Sequence, residues 1–91
     1  MYIDIDVHHG DGVEEAFYTT NRVLTMSFHR FGRRFFPRTG SIDEYGEQDG
    51  KYYSINVPLK SGIIDEQYIN LFKTLTDSAY QRYRPSAVVI Q

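Results

Sequence analysis

Residues 65–90 read DEQYINLFKTLTDSAYQRYRPSAVVI, and this stretch decides the fold class. Tyr68, Phe72, Leu75, Ala79 and Tyr83 fall on one stripe of a helix, with Ile69 and Leu71 widening it. Asp65 stands where a helix N-cap is expected, and Glu66 places negative charge in the first turn, where it complements the helix dipole. Pro85 closes the helix, and Ala87 to Ile90 follows as a short β-branched run. A well-formed helix leading into an apolar strand is the return half of a crossover unit. It implies a parallel sheet with a right-handed connection.

Working outward, Val23-Leu24-Thr25-Met26-Ser27-Phe28-His29 is an apolar run that reads as a buried strand. Tyr52 to Val57 reads as another, ended by Pro58. Tyr2-Ile3-Asp4-Ile5-Asp6-Val7 alternates sharply until His8-His9-Gly10-Asp11-Gly12 breaks the pattern, the glycines marking a tight turn or a close backbone approach. Val13, Ala16 and Phe17 recur at helical spacing and predict one or two turns of helix, with Asp11 as the cap. The order becomes strand, short helix, strand, long loop, strand, long helix, strand. That is an α/β domain with a mainly parallel sheet and flanking helices. Between Arg30 and Gly50 no periodicity survives, and Pro37 with Gly32, Gly40, Gly46 and Gly50 predicts an irregular loop. Loops beyond about 12–15 residues in compact structure are usually functional. Strand-like sequence at both extremes predicts that residues 1–91 are part of a single larger domain, cut at both ends, because domain boundaries fall in polar, exposed segments.

Composition narrows the class. The chain is 41% hydrophobic and 24% charged, which is ordinary for a globular protein and argues against disorder. Eight Tyr and six Phe supply large apolar area for a core or an aromatic-lined site. Ten Lys and Arg against twelve Asp and Glu leave a net charge of −2, so direct DNA binding is not expected. Without cysteine there is neither a disulfide framework nor a thiolate site, and any metal must be held by oxygen and imidazole. No apolar run approaches the ~20 residues that cross a bilayer, and no basic-then-apolar leader opens the sequence. A soluble intracellular protein with no membrane partner is the expectation.

Asp4, Asp6 and His8 lie two apart, so along a strand they share one face, with Ile3, Ile5 and Val7 on the other. Carboxylates on a buried parallel strand require positive charge nearby, from a metal, Arg, Lys or protonated His. Residues two apart are separated by ~6.6 Å along a strand, whereas ligands of one zinc converge to ~2.0–2.2 Å from it. Asp6 and His8 can therefore meet one ion only if the strand ends at His8, and Asp4 must serve another partner. A solvated edge strand or an internal ion-pair network remains open on spacing alone. So does a magnesium site, although imidazole favours zinc or a later transition metal.

The segment Asp4 to Tyr18 closely resembles the metal-binding segment of class I histone deacetylases, a family with a single α/β domain shared with arginases. The likeness continues through Val23 to His29, Phe35-Phe36-Pro37, Gly50 to Tyr53, Asn56 to Leu59 and Pro85 to Val89, and so covers essentially the whole chain. The resemblance implies that Asp6 and His8 are two of three zinc ligands, the third being an aspartate beyond Gln91. It implies that Asp4 and Asp11 orient a pair of catalytic histidines lying upstream of Met1, and that His9 is structural. It implies a structural potassium ion held at Asp4, Asp6, His8, Ser27 and Phe28, and a second at Phe17, Thr20, Val23 and Tyr53. Ordinary strand and turn usage is the alternative for Ser27 and Thr20. Phe36 resembles one wall of the tunnel that takes the acetyl-lysine side chain, leaving Phe35 as a loop anchor packed into the core.

Two departures from the family pattern stand out. Arg38 occupies the first glycine of the usual Pro-Gly-Thr-Gly, and Asn21 replaces a more frequent aspartate. If position 38 needs positive φ, arginine there costs roughly 1–2 kcal/mol. Arg30, Arg33, Arg34 and Arg38 make the tunnel rim basic, tempered by Asp43, Glu44 and Glu47. The implied function is zinc-dependent hydrolysis of ε-N-acetyl-lysine in histones and other proteins, in the nucleus or also the cytoplasm. The implied partners are acetylated histone tails and corepressor proteins. The alternatives are an acetylpolyamine or non-histone deacetylase of the same fold, or a short non-catalytic product that acts by binding.

Overall fold

The computed structural model describes residues 1–91. The chain runs β1 (Tyr2–Asp4), α1 (Asp11–Phe17), β2 (Thr25–Arg30), β3 (Ser54–Leu59), α2 (Asp65–Tyr83) and β4 (Val89–Ile90), with a 3₁₀ turn at Gln48–Gly50. The four strands form one sheet in the order β3-β2-β1-β4. Every pairing is parallel. The α/β architecture with a parallel sheet and flanking helices is thus what the helix-to-strand pattern implies.

Register divides the sheet into two unlike faces, because side chains alternate along a strand and paired residues share a side. Ile3 pairs with Met26 and Met26 with Ile55, while Phe28 pairs with Val57 and Arg30 with Leu59. This apolar face lies under α2, whose Phe72 and Tyr68 rings sit 5.2 and 6.1 Å from the Phe28 ring. Burying a side chain such as Phe28 contributes roughly 1.5–3 kcal/mol, so this layer holds α2 in place. On the opposite face Asp4 pairs with Ser27 and Ser27 with Asn56, and Thr25 pairs with Ser54. These side chains, with His29, are buried and polar.

Several element details differ from expectation for identifiable reasons. The first strand stops at Asp4 rather than Val7, because carboxylates capture the backbone that would have continued the ladder. The Asp6 N–H donates to Asp4 Oδ1 and the His8 N–H to Asp6 Oδ2. Asp11 is not a cap: Gly10 holds that place, and Asp11 is the first helical residue. Glu14, not Ala16, takes the inward position on α1. Asp65 likewise opens α2 from inside, with Ile64 at the cap and its N–H donating to Gln67 Oε1 at 3.3 Å. Leu71 joins the buried stripe while Ile69 faces outward. Pro58 lies inside β3 rather than ending it, which an edge strand tolerates because one missing N–H need not break a ladder bond. The helix closes on Arg84 in the left-handed region, followed by Pro85.

Candidate metal centre

All strands run one way, so their carboxyl ends open on a single edge, where sites in parallel sheets gather. The turn that leaves β1 carries Asp6 and His8 there. Asp6 Oδ2 and His8 Nδ1 stand 3.1 Å apart. Two adjacent corners of a tetrahedron around zinc are about 3.3 Å apart when each ligand lies ~2.0 Å from the metal, so this pair fits one ion. Both side chains are about half exposed, at 55% and 47%. Hydrogen bonds from the His8 backbone N–H, and then from its ring, hold the Asp6 carboxyl below its ordinary range and keep it ionised. One carboxylate and one imidazole suit zinc better than magnesium.

Two phenyl rings flank this pair. Phe35 stacks on the His8 imidazole with centroids 5.2 Å apart and planes 8° from parallel. Phe36 meets the same ring edge-on at 5.9 Å and remains 73% exposed. Phe35 is therefore no core anchor: it is half-buried against the imidazole of His8. Arg38, three residues beyond Phe35, has φ of +73°, so the condition set by the sequence is met.

Asp4 lies one step deeper and is buried at 5% exposure. Its carboxylate accepts hydrogen bonds from the Tyr2 hydroxyl at 2.7 Å and the Asp6 N–H at 3.0 Å. Burial, then the Asp4 hydrogen bond and charge, push Tyr2 up to about 12. No Arg or Lys lies within 4 Å of Asp4 or Asp6, since the ion pairs of the chain are His8–Asp6 and His9–Glu14. An ion-pair network with Arg or Lys is thereby set aside. Gly10 packs its backbone onto this carboxylate so closely that a Cβ there would collide with Asp4 Oδ2.

The polar face of the sheet supplies a second, buried constellation. His9 Nε2 is 2.7 Å from Glu14 Oε2, and His9 Nδ1 is 2.8 Å from Thr39 Oγ1. With Glu44, these groups place three ligand atoms within 4.8 Å of one another, a cluster that could hold a metal ion. Burial draws His9 downward, but the hydrogen bond and charge of Glu14 outweigh it, with Glu44 and Asp11 adding, and His9 is raised overall. His29 donates from Nε2 to the Gly40 carbonyl at 2.8 Å, which fixes its tautomer. Its Nδ1 is then free to accept the Ser27 hydroxyl at 2.9 Å, and Ser27 Oγ accepts the Gly10 N–H at 3.1 Å. Gly40, at φ +90°, admits no side chain because His29 and His9 fill that space. The network ties the turn after β1 to the loop that carries Phe35 and Phe36.

Glu14, Thr39 and His29 were not singled out from sequence, and Glu44 was read only as a charge tempering the rim. The period-two polar series Thr25, Ser27, His29 was the available signal for this face. Of the other expected site residues, Asp11 is exposed, its carboxylate taking the Gly12 N–H at 2.8 Å. The Phe17 and Tyr53 carbonyls accept the N–H groups of Thr20 and Thr25. Val23 is half-buried, and Phe28 is enclosed on the apolar face.

Over residues 1–91 the sequence matches the family model described as Histone deacetylase domain. The chain belongs to that family. Among curated relatives it is 59% identical to Histone deacetylase 9 of Arabidopsis thaliana and 60% identical to Histone deacetylase B of Dictyostelium discoideum. Each match covers all of this chain but only 21% and 22% of those proteins. Histone deacetylase 2 of Oryza sativa subsp. japonica is 59% identical, with 18% of its length covered. The chain thus spans about a fifth of the length of such histone deacetylases. No helix in it is long and apolar enough to cross a membrane.

Proposed function

We propose that these residues form part of the catalytic domain of a zinc-dependent lysine deacetylase, a single domain that extends beyond both ends of the chain, with Asp6 and His8 as two of the metal ligands. The carrying observation is the 3.1 Å approach of Asp6 Oδ2 to His8 Nδ1 in a chain that matches the family throughout. When bound, zinc would polarise the amide carbonyl of ε-N-acetyl-lysine and lower the pKa of a water molecule. Asp6 offers its ionised carboxylate, and Phe35 restrains the His8 imidazole by stacking. Phe36 offers an apolar wall to the lysine methylenes, each contributing ~0.8 kcal/mol when buried. His9 and His29 are each engaged at both ring nitrogens. His8 meets Asp6 through Nδ1 and is assigned as a metal ligand, so none of the three is taken as the general base. The proton-transferring histidines belong to the rest of the full-length protein, with Asp4 and Asp11 orienting them.

The buried charge of Asp4, without an Arg or Lys partner, supports a structural potassium ion at Asp4, Asp6, His8, Ser27 and Phe28. A second would sit at Phe17, Thr20, Val23 and Tyr53. Acetylated histone tails, corepressor proteins and a nuclear location complete the reading. In the full-length protein, His8→Ala and Asp6→Asn should each abolish acetyl-lysine peptide hydrolysis and lower bound zinc measured by elemental analysis. The 91-residue chain alone should be inactive. Full activity with stoichiometric zinc in His8→Ala would overturn the assignment, as would peptide hydrolysis by the isolated chain.

A further inference from the structure

Arg30, Arg33, Arg34 and Lys60 line one concave surface of about 400 Å³, together with Phe35 and Ser61. All four cations are exposed, and none has a carboxylate within 4 Å. The concentration is local, because the chain as a whole is acidic, with twelve Asp and Glu against ten Lys and Arg. A solvated loop ordinarily intersperses both signs, and nearby opposite charge is what relieves such crowding. Of the loop's acidic side chains, Glu44 is directed elsewhere, its carboxylate accepting the Gly40 N–H at 2.8 Å, and none pairs with these cations.

The position of this surface matters as much as its charge. Arg30 ends β2 and Lys60 follows β3, which puts them at the same carboxyl edge as Asp6 and His8. The Arg30 guanidinium carbon lies 4.6 Å from the centre of the Phe35 ring, and that ring stacks on His8 at 5.2 Å. The cations therefore begin within about 10 Å of the His8 ring, a span an extended peptide crosses in roughly three residues. Guanidinium groups pair with carboxylate or phosphoryl oxygens in forked geometry, the chemistry this surface offers.

We propose that this basic pocket receives an anionic side chain, carboxylate or phosphoryl, of the acetylated substrate polypeptide a few residues from the acetyl-lysine. The inference rests on the deacetylase reading and adds a substrate class to it: acidic or phosphorylated flanks, in preference to uniformly basic ones.

The test uses the full-length protein and three labelled peptides that share one acetyl-lysine, with neutral, glutamate or phosphoserine residues about three positions away. Hydrolysis and fluorescence anisotropy are both measured. The glutamate peptide should exceed the neutral one about tenfold in kcat/KM and in affinity, with phosphoserine further ahead. The advantage should shrink as salt rises and fall to within about twofold in R33Q/R34Q, the change appearing in KM. Equal handling of the three peptides would overturn the pocket while leaving the deacetylase reading intact. So would an advantage that survives the double substitution, or one equally large when the anion is about ten residues away. Preferential binding without hydrolysis of any peptide would support the pocket and sink the deacetylase reading instead.

Discussion

Position 38 shows how a single side chain can be read against its backbone. Arg38 has φ of +73°, a region where an L side chain is strained and glycine is not. Its side chain is exposed, so no buried contact offsets that strain. Arg38→Gly should raise the stability of the full-length protein by about 1 kcal/mol, somewhat below the full left-handed penalty because glycine also gains freedom when unfolded. A denaturant midpoint shifted upward at constant slope is the expected result. A lower midpoint would mean that Arg38 makes a stabilising contact with the rest of the protein. The convergence of Asp6 and His8 was equally legible, since only a strand that ends early lets the two side chains meet. What ends it was not, because the carboxylates that capture the Asp6 and His8 N–H groups act through geometry that spacing does not encode.

At the scale of elements, helix and strand types followed from periodicity, and one departure came where a polar group took an inward place that spacing gave to an apolar one. Glu14 interrupts the apolar spacing of α1, and only the fold shows that His9 waits for it on the inside. The two histidines of that face, 4.7 Å apart between ring centroids, are pushed in opposite directions. Burial takes His29 below its ordinary 6.5, the Gly40 carbonyl pulls it back in part, and the charge of His9 adds to the depression. A base held neutral when folded binds fewer protons than when unfolded. Its contribution to stability is whole above pH 6.5 and declines as pH falls through that value toward the lowered one. His9 runs the other way: its contribution is present below 6.5 and is lost as pH rises through its raised value. Histidine-labelled NMR across about pH 5 to 8 should show His9 titrating above 6.5 and His29 below it. The reverse order would mean that Glu14 does not carry the charge that partners His9.

For the molecule as a whole, the decisive feature is that only one side of the sheet has a helix of useful length. Parallel strands are normally covered on both faces, yet Val89 and Ile90 of β4 are each 60% exposed. Ile5 and Val7, just beyond β1, are 47% and 53% exposed, and Val88 is 44%. The Ile5 N–H donates to the Gln91 carbonyl, so the continuation of β1 adjoins β4 along this border. Covering five such side chains would contribute roughly 1 kcal/mol each. That total, about 5 kcal/mol, matches the lower end of the stability a domain of this size possesses at all. The isolated chain should therefore be marginal: it should bind a hydrophobic dye, self-associate in sedimentation and melt without a sharp transition. Replacing Val89 and Ile90 by lysine should suppress the self-association of the isolated chain, because charge on a sheet edge discourages edge-to-edge pairing. The same pair of substitutions in the full-length protein should instead destabilise it, if that surface is covered there. A monodisperse, cooperatively melting 91-residue chain would show that the exposed border needs no cover.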